Sequence, residues 1–286
     1  MNQSLIRTFK DAVAIVTGGA SGIGKALCDE LASQGCEVII YDRQIDLAKQ
    51  VAASICQKGF NAEAIEGNVT DFSQINQLIQ KIVNRTGRID YLFNNAGICY
   101  FGDVIHNTIE DWQDVLAVNL NGVINGIQAV YPIMAKQGFG HIVNTASMAG
   151  LVPIPGIVSY TASKHAVVGI STSLRVEAAS LGIRISVLCP GLIRTQIIQG
   201  GGVYGKILNN APQRLLDEAA EQMHPMEPNV FAKKAIKDIA KNKSIIIYPS
   251  FWKLGWWLNR FSPWLGLQFA RLKYLEGQKI IQSAIT

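Results

Sequence analysis

Residues 12–24 read AVAIVTGGASGIG. The first six, Ala12 to Thr17, form a short apolar run rich in β-branched side chains that stops at glycines, as a strand buried on both faces would. A helix-like segment follows from Ile23 to Gln34. Outward from this unit the alternation recurs. Glu37 to Tyr41, Ala62 to Glu66, Ile89 to Phe93, Gly140 to Thr145, Arg184 to Leu188 and Ser244 to Tyr248 read as strands. Leu47 to Gln57, Phe72 to Arg85, Ile109 to Ala135 and Ser159 to Ser180 read as the intervening helices. Strands separated by helices need crossover connections, so the spacing predicts a doubly wound α/β fold, a parallel sheet with helices on both faces. Such sheets bind ligands outside the carboxyl ends of their strands, and the chemistry-bearing motifs fall there.

The glycines are spaced GxxxGxG. Gly18 can take backbone angles closed to other residues, Gly22 lets main chain approach a pyrophosphate, and Gly24 permits tight helix-to-strand packing. The helix N-terminus, with Ile23 in its first turn, supplies N–H groups and a favourable dipole for phosphates. By itself the motif also fits a glycine-rich turn with no ligand; its position between a strand and a helix favours a dinucleotide. Asp42 ends the second strand, where a carboxylate can accept hydrogen bonds from the adenosine ribose hydroxyls and repel the extra phosphate of NADP. Two alternatives stay open: Asp42 could cap the next helix, and the Arg43 guanidinium could meet that phosphate. The balance favours NAD over NADP.

Tyr160 and Lys164 stand at i and i+4 on a predicted helix, so their side chains share one face. A nearby ammonium, together with the positive nicotinamide ring of NAD⁺, can lower a phenol toward working pH and make Tyr160 a general acid/base. Ser147 follows the strand ending in HIVNTA, where its hydroxyl can polarise a substrate carbonyl. A Tyr-xxx-Lys pair alone is a common accident of helix surfaces; the combination carries the argument.

In that combination the sequence resembles the short-chain dehydrogenase/reductase family, in its branch with a Tyr-xxx-Lys active site and a Rossmann-type fold. The family's TGxxxGxG matches Thr17 to Gly24, its NNAG matches Asn94-Asn95-Ala96-Gly97, and its helix asparagine matches Asn119 in VNLNG. Its serine, tyrosine and lysine match Ser147, Tyr160 and Lys164, and its Pro-Gly matches Pro190-Gly191, with Thr195 where a hydroxyl usually lies near the carboxamide. The resemblance implies that Asn119 holds a water linking Lys164 to solvent in a proton relay from Tyr160, and that Lys164 contacts the nicotinamide ribose. It places Asn68 and Val69 of GNVTD near the adenine, with Asn68 standing where an aspartate is common. The family's basic position within the glycine motif is here Ser21, which supports NAD and argues against reading Lys25 as an NADP determinant. A homodimer or homotetramer built through the helices containing Asn119 and Tyr160 is implied as well.

Residues 1–250 thus form one dinucleotide-binding and catalytic unit, and 251–286 an aromatic-rich helical extension of it. The charged fraction of 16% against 49% hydrophobic argues for a folded chain. A net charge of +5 without a long basic run gives no reason to expect nucleic acid, and no metal is implied. Five widely spaced cysteines without a CxxC pair fit a reducing compartment, and no secretory or spanning segment is expected, so the expected location is cytoplasmic. MAGLVPIPGIVS, after Ser147, offers an uncharged pocket lining suited to an apolar alcohol or ketone, although core packing explains such residues equally well. The glycines at 200–202 and Pro225 suggest a mobile cover between Gly191 and Glu227. In the extension, Trp252, Trp256, Trp257 and Trp264 alternate with Lys253, Arg260, Arg271 and Lys273, a composition that fits either a membrane-surface contact or packing on protein. The functional expectation is a nicotinamide-dependent oxidoreductase of a hydrophobic secondary alcohol or ketone, with a catalytically silent cofactor-binding regulator, or an epimerase or dehydratase, as competing readings.

Overall fold

In a computed structural model, residues 9–199, 202–208, 214, 218, 221, 222 and 224–285 are described. Seven parallel strands run in the order β3-β2-β1-β4-β5-β6-β7. They are β1 (Val13–Thr17), β2 (Glu37–Asp42), β3 (Ala62–Glu66), β4 (Tyr91–Asn94), β5 (Gly140–Thr145), β6 (Ile183–Pro190) and β7 (Ile245–Tyr248). The chain builds outward from β1 to β3, returns to set β4 on the other side of β1, and builds outward again. The order reverses between β1 and β4, and there the connections leave in opposite directions and open a crevice.

Side chains alternate across a strand, so a strand with apolar residues at every position needs a core on each face. In β1, Ala14 and Val16 join Leu27 and Leu31 of α1 (Gly22–Ser33), Val51 of α2 (Ile45–Gln57) and Phe231 of α8 (Pro228–Ala240). Val13 and Ile15 point the other way, to Ile79 of α3 (Phe72–Thr86), Val130 of α5 (Gly122–Gln137) and Val167 of α6 (Val158–Ala178). The two cores hold the sheet from both sides, as its continuous apolar strands require.

One expected element is divided. The helix read from Ile109 to Ala135 is α4 (Ile109–Leu116), a wider π turn at Ala117–Asn121, and then α5. Thr108 and Asp111 close a capping box that starts α4. The π turn shifts the phase of the face that follows, and it carries Asn119, which is fully buried. Between β6 and α8, a short helix α7 (Gln196–Gln199) and a turn at Gly202–Tyr204 occupy part of the expected cover; Gly200 and Gly201 lie outside the described residues. The extension forms α9 (Trp252–Phe261) and α10 (Pro263–Ile285).

At the amino end of the sheet, buried Asp90 accepts from the Val13 amide at 2.9 Å and from Arg88 Nε at 2.8 Å, fixing β1 against the approach to β4. Asp90→Ala leaves the Val13 N–H buried without a partner. The expected cost is about 2 kcal/mol, read as a lower urea midpoint with an unchanged slope; a midpoint equal to wild type would contradict it.

Candidate active site

The site starts at the turn after β1. At Gly18, φ is +65°, and a side-chain carbon would stand 2.8 Å from the Ala96 Cα. At Gly24 a side chain would collide with the Gly18 carbonyl, so α1 begins hard against the turn that precedes it. Ser21 leads into α1 in extended conformation without a side-chain cap, and the first turn holds no acidic residue. The leading N–H groups of α1 are thereby left for an anion, with Gly22 and Ile23 lining the cleft beside them. This uncapped, side-chain-free cradle fits the diphosphate of a dinucleotide.

The loop after β4 forms the facing wall. The Asn95 and Ala96 amides donate to Thr17 Oγ1 at 2.9 and 3.1 Å, and Asn95 Nδ2 donates back to the Thr17 and Gly18 carbonyls at 3.2 and 3.3 Å. From β5, Thr145 Oγ1 donates to Asn95 Oδ1 at 3.3 Å. Gly97 continues this wall toward Asn119 and Lys164, either of which a side chain there would press within 3.4 Å.

At the outer end, Asp42 accepts from the Ala20 amide at 3.0 Å and from the Gln44 amide at 2.9 Å. Asp42 does not cap α2, whose N-cap is Gln44 with no side-chain cap bond; its bond to the Gln44 amide closes the turn that leads into the helix. A carboxylate offers about four acceptor positions, so two remain for a ribose. Arg43 is exposed on the rim of the same cleft. Asn68 Oδ1 accepts from the Thr70 amide at 3.1 Å, which closes its own turn. Val69 packs on Gly122, and its carbonyl accepts from Asn125 Nδ2 at 2.9 Å.

The inner end gathers side chains from three elements. Ser147 follows β5; its Oγ accepts from the Ala149 amide at 3.1 Å and hydrogen-bonds Tyr160 of α6. Lys164, one turn further along α6, is buried and donates to the Thr145 carbonyl at 2.9 Å, with its Nζ 5.4 Å from the Tyr160 ring centroid. Asn119 Oδ1 accepts from the Ile98 amide at 2.8 Å, while its Nδ2 donates to the Ile98 carbonyl at 2.9 Å and to Ser163 Oγ at 3.2 Å. The Asn119 carboxamide is thus spent on holding the loop after β4 and the tyrosine helix. Pro190, Gly191 and Thr195 line the same cleft from the end of β6, and the Thr195 methyl approaches Gly22.

Burial dominates the electrostatics of the inner end. Burial pushes the Tyr160 phenol above its ordinary value, the Cys99 thiol adds to that, and the Ser147 hydrogen bond only partly opposes it. The ammonium lies over the face of the ring and is tied to the Thr145 carbonyl, and burial is the dominant influence on the phenol in the chain alone. Lys164 itself is pulled down to about 8 by burial, against the opposing thiols of Cys99 and Cys189.

Each residue predicted to catalyse or to bind the cofactor lines this one crevice except Asn119, which stands behind it. Sequence reasoning missed Thr145 and Ser163, and it named Thr17 only as the first residue of the glycine motif. Thr17 and Thr145 end the strands that flank β4, a position that marks them as candidates. Ser163, between Tyr160 and Lys164, carries no such signal.

The short chain dehydrogenase family profile matches residues 12–201. A 3-oxoacyl-(acyl-carrier-protein) reductase of Thermotoga maritima is 39% identical over 194 residues, 65% of this chain and 76% of that protein. A cyclohexanol dehydrogenase of an Acinetobacter species is 37% identical over 201 residues, 69% of this chain and 79% of that one. The crystal structure of a Burkholderia phymatum short-chain dehydrogenase/reductase in complex with NAD superposes with a TM-score of 0.82 at 28% identity, covering 90% of this chain and 96% of that one. The chain belongs to the short-chain dehydrogenase/reductase family, and is an oxidoreductase of that family.

Lys164 yields a pH test. In the unfolded chain it keeps its proton to about 10.5, whereas in the folded chain it releases it near 8. Across that window the unfolded state binds more protons, so stability rises with pH. Between pH 7 and pH 10 wild type is expected to gain roughly 2 kcal/mol on Lys164→Met in urea titrations; a difference that stays constant with pH would contradict the buried ammonium.

Proposed function

We propose that the chain interconverts a hydrophobic secondary alcohol and its ketone with NAD as the preferred coenzyme, and that Tyr160 is the general acid/base. The observation that carries this reading is the pair of ends of one crevice. An uncapped helix start and the Asp42 carboxylate suit a dinucleotide at one end, and Ser147, Tyr160 and Lys164 meet at the other. Support also comes from the NAD-bound Burkholderia neighbour and from the cyclohexanol dehydrogenase relative, whose name describes a secondary alcohol.

The nicotinamide, when bound, would supply the hydride acceptor or donor. The chain's own residues do the rest. Gly18 to Gly24 would hold the diphosphate through backbone N–H groups, Asp42 would accept from the ribose, and Asn95 to Gly97 wall the far side. Ser147 Oγ orients the substrate oxygen toward Tyr160 Oη, which takes the alcohol proton or returns it to the ketone. A phenol raised by burial is a poor base, so the positive charge of the oxidised nicotinamide is what would bring Tyr160 into working range. Lys164 adds charge behind the ring and passes the proton onward, and Asn119 holds Ile98 and Ser163 so that the relay keeps its shape. Apolar lining from Ile157, Leu192, Ile197 and Val203 suits an uncharged substrate. Exposed Ile109 and Val176 on α4 and α6, 67% and 78% accessible, support assembly of a homo-oligomer through that side, and the aromatic face of α9 and α10 adds peripheral contact with a lipid surface.

Assayed by NADH absorbance over a panel of secondary alcohols, Tyr160→Phe is expected to lose at least about a hundredfold in kcat; turnover near wild type would reject the acid/base role. Asp42→Ala is expected to shift the ratio of kcat/KM for NADP over NAD upward by about tenfold, through loss of a charge that repels the 2′-phosphate. An unchanged ratio would remove Asp42 from coenzyme choice.

A further inference from the structure

The two C-terminal helices reverse the pattern of the rest of the chain. In α9, Trp252, Trp256 and Asn259 turn toward the protein, while Leu254, Trp257 and Phe261 face solvent at 77%, 46% and 81% exposure. In α10 the less exposed positions include Gly266, Gln268 and Gly277, whereas Trp264, Phe269 and Leu272 are 66%, 58% and 61% exposed. A helix resting on a globular body ordinarily turns its apolar stripe inward. Among the described residues, half of the large apolar side chains that are exposed fall between Phe251 and Leu275, far from the isolated exposures of an ordinary surface.

Charge says what covers this face. Residues 251–286 carry Lys253, Arg260, Arg271, Lys273 and Lys279 against Glu276 as the sole acidic residue. No helix among the described residues is long and apolar enough to cross a membrane. Tryptophans and leucines on an outer face, interleaved with cations, are the chemistry of a segment lying in the headgroup layer of an anionic bilayer. A protein partner would need an apolar surface edged with acid, whereas an anionic bilayer offers hydrocarbon and negative charge together along the whole length of both helices.

Position ties the face to the site. The Trp252 indole packs on Gly191, which lines the crevice. Asn259 Nδ2 donates to the Leu151 carbonyl at 3.2 Å, within the apolar segment after Ser147. Gln278 Nε2 donates to Asp103 Oδ2 at 2.9 Å, two residues past Phe101, another crevice residue. Beyond Asp103, Val104 and Ile105 are 52% and 86% exposed and extend the apolar rim.

We propose that the outer face of α9 and α10 docks on an anionic lipid bilayer and seats the mouth of the crevice at its surface, so that apolar alcohols and ketones enter from the lipid. The delivery step rests on the oxidoreductase reading of the site; the docking does not.

The test uses the full-length chain in sedimentation with vesicles of phosphatidylcholine alone or mixed with phosphatidylglycerol. Wild type is expected to bind the mixed vesicles at least about tenfold more tightly than the neutral ones, less so as salt rises. The Phe261→Glu/Trp264→Glu variant should lose about tenfold or more of that binding, while its NADH affinity, measured on the same sample as a check of folding, stays at the wild-type value. Arg260→Gln/Arg271→Gln should weaken binding to mixed vesicles alone. Docking is overturned if wild type binds neither vesicle, if the glutamate variant binds as wild type does, or if that variant instead turns a dimer into a monomer in analytical ultracentrifugation, which would assign the face to a second copy. For delivery, kcat/KM on a long-chain ketone dissolved in mixed vesicles should fall in the glutamate variant while a short water-soluble ketone is turned over unchanged. Equal effects on both ketones would overturn delivery, and vesicle binding without turnover of any ketone would overturn the site reading while docking stands.

Discussion

The structure depends on how the chain bridges the split between β1 and β4. The two strands are neighbours, yet their following segments leave in opposite directions, which strips the strand ends of their ladder partners. Thr17 closes the gap. Its hydroxyl oxygen takes the amide hydrogens of Asn95 and Ala96, and Asn95 returns its own side-chain hydrogens to the Thr17 and Gly18 carbonyls. With those groups satisfied inside the protein, the crevice can stay open without leaving buried backbone unpaired, and the Gly18 carbonyl is held where α1 can start against it.

The same economy of partners governs the inner end. Burying an ammonium is costly unless it is paired and hydrogen-bonded, and Lys164 meets that demand with a carbonyl from the end of β5. That bond also fixes where the ammonium sits, over the tyrosine ring. Asn119 meets its own burial by bonding both edges of Ile98 and the hydroxyl of Ser163. It can do so because the π turn rotates it away from the face that α4 alone would present. Tyr160 is consequently held by its surroundings, and burial raises its phenol above the ordinary value.

Much of this was legible in the residues. The strand and helix order followed from apolar runs and glycine stops, and most boundaries moved by only a residue or two: β6 runs on to Pro190, and α2 begins at Ile45. The division of Ile109 to Ala135 was not legible, because AVNLN contains neither glycine nor proline and the helix its wider turn packs against, α6, lies far along the chain. Asp42 carried two readings, cap and ribose acceptor; α2 starts at Gln44 without a side-chain cap, and the turn bonds of Asp42 leave acceptor positions for the second reading. The Tyr160–Lys164 spacing announced proximity correctly but not the burial that dominates the phenol, since spacing along a helix says nothing of what the rest of the chain packs around it.

By itself the sequence determined what depends on neighbours along the chain: the alternation of elements, the glycines where a turn must come close to other backbone, and the one face shared by Tyr160 and Lys164. These are demands of backbone angle and helical period, written within a few residues. Only the tertiary structure decided which distant groups meet, such as Thr17 with Asn95, Asn119 with Ile98 and Asn259 with Leu151. It decided as well which side of α9 and α10 turns outward. Burial is a property of the whole packed chain, and an aromatic run reads the same in sequence whether its tryptophans enter the core or, as here, several of them stand in solvent.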